Sequence, residues 1–148
     1  MRFAAALIAV FLAMPAVAEP VAYTIVDGSE IPDSLTGTPG SAEDGRVLYF
    51  DMAATGCSGC HGSPSGPGAQ AAAGEAAPSL SGVGARLNEG AIRLWIVAPR
   101  VLAPETTMPG YYSAGQRMEP EDPRFGMPRL TAREIEHLVA YLMEQRAQ

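Results

Sequence analysis

"CSGCH", residues 57–61, holds both cysteines of the chain and one of its two histidines. Two thiols three positions apart share one helical turn, and an imidazole follows at once. Four chemistries use such a cluster. A disulfide between Cys57 and Cys60 suits an oxidising compartment. A thioredoxin-like redox pair needs a βαβ setting, which the surrounding sequence lacks. A zinc site needs four N, S or O ligands, and the supply here is thin. Covalent attachment of haem c needs this spacing: each thiol adds to one vinyl group of the macrocycle, and His61 then lies under the iron as proximal ligand. Export of the chain and a capped helix before the motif favour haem.

Export is read from the start of the chain. MRFAAALIAVFLAMPAVAEP places Arg2 before an apolar run from Phe3 to Met14 and closes on Ala16-Val17-Ala18. That is the pattern of a secretory signal peptide over residues 1–18, cleaved before Glu19. The run is shorter than the roughly 20 residues that span a bilayer. The mature chain is therefore expected to be exported, with no membrane span.

Composition excludes other classes. The chain is 47% hydrophobic and 18% charged, which suits a folded domain, and its formal charge is -6. All ten basic residues are arginine, and none cluster, so a nucleic-acid partner is not expected. An acidic surface fits a partner protein with a positive face. No Ser/His/Asp set or carboxylate pair suggests hydrolysis, so no catalytic residue is assigned to the chain itself.

Residues 19–40 read as an irregular arm, rich in Pro, Gly, Asp and Ser, that packs onto the domain or onto a partner. The domain proper is expected over 41–148. Its first helix opens at Ser41 as N-cap with Asp44 three residues on, and runs to a stop at Gly56. Val47, Leu48, Asp51 or Met52, and Thr55 fall at helical spacing, and Gly45 is either a tolerated glycine costing about 1 kcal/mol or a place where another helix comes close. Residues 62–77 form a low-complexity loop. Asn88 caps a second helix with Ile92, Trp95 and Ile96 on one face, ended by Pro99. Six prolines from Pro99 to Pro128 mark a long loop without regular structure. The last helix has Thr131 as N-cap, Glu134 completing a capping box, a Leu130/Ile135 staple and an apolar stripe of Ile135, Leu138, Val139 and Leu142. No sustained alternation suggests a strand. The fold is expected to be all-α, with long loops wrapped around a cofactor that supplies the missing apolar interior.

A second axial ligand has few candidates. His137, the other histidine, is off the apolar stripe of its helix and reads as an exposed side chain. Met108, Met118 and Met127 are the thioether candidates, and Met/His ligation raises the potential. Spacing alone does not choose among them.

The helix bearing Gly45 and Tyr49, "CSGCH", "PSLSGVGAR" and "LTAREIEHLVAYL" together resemble the class I cytochrome c family. That resemblance implies that first and last helices cross in close contact at Gly45, with Tyr49 and Tyr141 nearby. It also implies that the Pro78 carbonyl accepts a hydrogen bond from His61 Nδ1–H. A narrower run, "AIRLWIVAPRVLAPETTMPGYY" followed by "PRLTAREIEHLVAYL", resembles the SoxX family, the monohaem subunits of the sulfur-oxidising system. This resemblance selects Met108 as sixth ligand, with Met127 as the alternative. It implies one covalent haem c, a periplasmic location, and a SoxA-like haem cytochrome as partner. It further implies a SoxYZ-like carrier whose cysteine receives thiosulfate, and an acceptor cytochrome. The chain would be the electron-transfer subunit of an L-cysteine S-thiosulfotransferase, with catalysis on the partner. The competing expectation is a free-standing, diffusible class I cytochrome c. Arg100 and Tyr111 or Tyr112 are expected near the haem edge or a propionate.

Overall fold

The computed structural model describes residues 20–66, 77–112 and 128–146. The expected signal peptide, most of the 62–77 loop, Met118 and Met127 lie outside these residues. Among the described residues the regular structure is helical: α1 (Ala42–Phe50), α2 (Cys57–His61), α3 (Val83–Arg86), α4 (Glu89–Val97), α5 (Pro99–Leu102) and α6 (Ala132–Glu144). One isolated bridge joins Val26 and Glu30, and no strand is formed. The architecture is all-α.

α1 begins as its sequence predicts, with the Ser41 hydroxyl accepting the Asp44 N–H at 3.2 Å. It ends at Phe50, well before Gly56. The reason is local: Asp51 Oδ1 accepts the N–H groups of Ala53 and Ala54 at 2.9 and 3.0 Å, offering the backbone a turn in place of another helical step. The inward face also differs from the expected one. Gly45 and Tyr49 are buried, whereas Val47 and Met52 are 61% and 64% exposed.

α4 is capped by Asn88, whose Oδ1 accepts from Ala91 N at 2.8 Å. Pro99 does not simply end helical structure. It opens α5 from the first turn, where its missing N–H has no intrahelical partner to lose. Among the described residues, the proline-rich stretch therefore contains one short helix.

α6 has the complete capping box: Glu134 N–H donates to Thr131 Oγ1 at 3.2 Å, and Thr131 N–H donates to Glu134 Oε2 at 2.7 Å. Leu130 and Ile135 are both buried, as are Leu138, Val139 and Leu142.

α1 and α6 cross in close contact. A Cβ built on Gly45 would fall on the His137 carbonyl and 2.8 Å from Tyr141 Cβ. A Cβ on Gly40 would meet the neighbouring Glu136 carbonyl in the same way. Only hydrogen fits at either place. Beside the crossing, the Tyr49 and Tyr141 rings lie 5.4 Å apart, centroid to centroid.

The opposite edge of α6 holds the arm. Glu136, missed as a structural residue in the sequence, pairs with Arg93 of α4 through two bonds, Nε to Oε1 at 2.8 Å and a terminal nitrogen to Oε2 at 2.9 Å. These side chains are 3% and 1% exposed. Arg93 also donates to the Ile31 carbonyl at 2.6 Å, and Leu35 N–H donates to Glu136 Oε1 at 2.9 Å. Ile31 and Leu35 enter the core beside them. The pair offsets its desolvation by filling its remaining hydrogen-bonding positions with backbone of the arm. His137 is not the exposed histidine expected. Its side chain is 12% exposed, and its Nδ1 accepts the Ser41 N–H at 2.8 Å. It fastens the start of α1 to α6.

Two outcomes are expected. Gly45→Ala gains about 1 kcal/mol of helix propensity but must push apart two backbones, so chemical denaturation should show a net loss of about 1–3 kcal/mol. Glu136→Gln leaves the Arg93 charge buried with a weakened partner. It should cost about 3–5 kcal/mol in the same measurement, more than Arg133→Gln, which removes exposed bonds to Thr38 and Pro39.

Candidate cofactor site

The site is built around α2, a single turn that carries both thiols and His61. It starts at Gly56, whose φ of 65° is a left-handed conformation suited to glycine. Bonds on both sides hold the turn. Before it, the Thr55 hydroxyl donates to the Leu48 carbonyl at 2.6 Å, and Tyr111 donates its hydroxyl proton to the Thr55 carbonyl. After it, the Tyr49 hydroxyl donates to the Gly62 carbonyl at 2.7 Å. Sequence reading placed Tyr49 near the crossing but did not assign it this bond.

His61 Nδ1 lies 2.8 Å from the Pro78 carbonyl oxygen. A carbonyl only accepts, so Nδ1 carries the donated proton, and in the neutral ring Nε2 is the position left to bind a metal. Such a bond fixes the ring's orientation and raises its strength as a donor to metal.

Both cysteines and His61 line a cavity of about 550 Å³. α4 supplies Ile92, Trp95 and Ile96 to its wall, which is the face of that helix marked in the sequence. α6 supplies Leu138 and Leu142. Met108 reaches the same cavity from the loop after α5, where its N–H donates to Thr106 Oγ1 at 3.2 Å. Four of the expected site residues, with Pro78, therefore meet at one apolar space, although they come from three separate segments. Met127 lies outside the described residues. Of the residues expected at a haem edge, Tyr111 lines the cavity, while Arg100 and Tyr112 are not among its lining residues. Arg86 is, and its guanidinium is held by the carbonyls of Ser79 and Ser81. No role was assigned to it from the sequence; its place at the end of "SGVGAR" became meaningful only once α3 was seen against the cavity.

Burial governs the protonation of the wall. It pushes the Cys57 thiol up, so this sulfur is uncharged at neutral pH. It likewise pushes the Tyr49 and Tyr111 phenols up, with Cys57 adding to both, and so keeps them as donors.

The residues present fit a covalently bound haem. The cavity is apolar, two separate thiols stand at its edge, and one imidazole with a free Nε2 and one thioether reach into it. Among the described residues, no group of three or more His, Cys, Asp or Glu could hold a metal ion, which weighs against the zinc alternative. The two cysteines are not bonded to one another, which weighs against the disulfide.

A family model described as Cytochrome c matches residues 42–146. The structure is similar to a chain in the crystal structure of SoxXA from P. pantotrophus. The TM-score is 0.66 and the identity 26%, over 84% of this chain and 94% of that one. No curated protein matches the sequence.

Proposed function

The chain belongs to the cytochrome c family, and from that premise we propose that it is the electron-transfer subunit of a complex like SoxXA. Membership implies a covalent haem c and an electron-transfer role. In our reading there is one haem, attached through Cys57 and Cys60, with His61 and Met108 as axial ligands and Pro78 orienting His61. The subunit pairs in the periplasm with a SoxA-like haem cytochrome. Together they conjugate thiosulfate oxidatively to a cysteine of a SoxYZ-like carrier, and the electrons pass on to an acceptor cytochrome. The mature chain is an arm, 19–40, folded against a domain, 41–148, after removal of a signal peptide, 1–18. No described helix is long and apolar enough to cross a membrane.

One observation carries the proposal: Cys57, Cys60, His61 and Met108 converge on one apolar cavity within a chain resembling SoxXA. The bound haem would supply an iron that changes valence by one electron. The protein's own contribution is to hold and tune. Pro78 fixes His61 for Nε2 ligation. Tyr49, Thr55 and Tyr111 fix the turn that carries the thiols. The apolar wall of α4 and α6 keeps water from the iron and lowers the local dielectric, which bears on the potential.

The free-standing carrier remains the second reading. Of the two placements expected for the arm, the structure shows the one against its own domain, through Ile31, Leu35 and the Arg93–Glu136 pair. That packing does not separate the two readings.

Two measurements test these readings. Met108→Ala should keep covalent haem, lower the reduction potential and let imidazole bind the iron; an unchanged potential and a closed iron would remove Met108 as ligand. Tagged protein recovered from cells growing on thiosulfate should bring down a second haem-bearing subunit in fixed ratio. Recovery as a lone, reducible monomer would leave the diffusible carrier as the better reading.

A further inference from the structure

Tyr111 and Tyr112 are neighbours in sequence and serve different parts of the molecule. The Tyr112 hydroxyl accepts the Val21 N–H at 2.6 Å, and its ring lies 6.2 Å from that of Tyr23. It secures the arm. Tyr111 turns the other way. Its buried hydroxyl donates to the carbonyl of Thr55, two residues before Cys57. Its backbone N–H donates to the Ile96 carbonyl of α4 at 2.9 Å, and its carbonyl accepts the Leu130 N–H at 3.0 Å. The Arg129 guanidinium lies 5.4 Å from the ring centroid, within the range of a cation–π contact. One side chain thus joins the thiol-bearing turn to the segment that carries Met108, while its backbone is fixed to α4 and to the approach to α6.

The Met108 segment needs such an anchor. Between α5 and Tyr111 its backbone is held by short local bonds, Ala103 N–H to Pro99, Thr106 N–H to Ala103, and Met108 N–H to the Thr106 hydroxyl. Pro109 offers no N–H. None of these bonds reaches across to the turn that bears His61. The Tyr111 hydroxyl does, three residues from Met108.

We propose that Tyr111 is a positioning residue, whose bond to the Thr55 carbonyl sets the placement of Met108 relative to the attachment turn and so keeps the thioether on the iron. This rests on the ligand assignment made above for His61 and Met108. Removing the hydroxyl leaves an apolar ring of the same shape, with the packing intact. It releases the hydrogen bond by which the described residues of the Met108 segment reach the attachment turn. A loosened thioether is displaced more readily by an added ligand. It also stabilises reduced iron less, so the potential falls.

The test compares four haem-loaded proteins: wild type, Tyr111→Phe, Tyr112→Phe and Met108→Ala. Each is examined for the weak near-infrared band of thioether-ligated ferric iron, for imidazole affinity and for reduction potential. Tyr111→Phe should retain haem, bind imidazole about tenfold more tightly, since one hydrogen bond is worth roughly that factor in an equilibrium, and show a lower potential. Tyr112→Phe loses an equivalent bond on the arm side and should match wild type. If Tyr111→Phe matches wild type, or Tyr112→Phe shifts equally, the positioning role is overturned while Met108→Ala, having lost the band, still supports the ligand assignment. If Met108→Ala keeps the band, the ligand assignment itself fails and the role of Tyr111 falls with it. Should Tyr111→Phe not accumulate with haem, proton NMR of the reduced wild type decides. A slowly exchanging Tyr111 hydroxyl proton in contact with Thr55 supports the link, and a freely exchanging one overturns it.

Discussion

The close passage of α1 over α6 at Gly45 is the constraint on which the other contacts depend. With only a hydrogen on Gly45, the His137 carbonyl can lie against the α1 backbone. That contact fixes where each face of α6 points. One edge presents Glu136 and His137 to the arm and to the start of α1. Another presents Leu138 and Leu142 to the cavity. The crossing also sets Tyr49 one turn further along α1, where its hydroxyl reaches Gly62 just after His61. A helix crossing thereby helps to decide where the His61 imidazole sits.

The cofactor completes what the chain leaves unfinished. Short helices joined by loops rich in glycine and proline bury little apolar surface against each other, and a cavity of about 550 Å³ remains among them. In water such a space would be costly, because apolar walls gain by meeting apolar matter. A covalent porphyrin offers that matter and cannot be lost once attached. The polar tethers lie at the rim: Tyr49, Thr55, Tyr111 and Pro78 hold the turn in place by bonds that compete with no ligand atom.

Legibility in the sequence followed the range of the interaction. The N-caps at Ser41, Asn88 and Thr131 and the stripe on α6 are local patterns, and each appears where it was read. Gly45 was legible as an exception, since a glycine inside a helix costs about 1 kcal/mol, but only the resemblance turned it into a close contact. α1 was read too long because the Asp51 turn competes with the helix through a side chain, which periodicity does not register. Val47 and Met52, read at helical spacing, both lie on the outside. Arg93 and Glu136 were missed for a different reason. Their pairing joins residues 43 apart in sequence, and the only sign was a lone cation inside the apolar run "AIRLWIV". His137 looked exposed because its partner, the Ser41 N–H, belongs to another element. Of the site, the motif fixed Cys57, Cys60 and His61 as a group. Spacing left three methionines open, and only a resemblance selected Met108, which the structure then brings to the same cavity.

The proposed ligand set also limits what this chain does with sulfur compounds. It has two cysteines in all, and thioether bonds would consume both. No thiol remains to carry a sulfur intermediate as a persulfide. With His61 and Met108 both on the iron, substrate finds no coordination position. Under that proposal, reactions on sulfur would fall to the proposed partner, and the role left here is the electron transfer of a cytochrome c. Rigidity serves that role, since a ligand sphere that does not rearrange between oxidation states keeps the cost of each transfer low. The tethers around the attachment turn and the Met108 segment fit that demand. Each joins a side chain to a backbone carbonyl of another segment, and so they resist movement whichever valence a bound iron would hold.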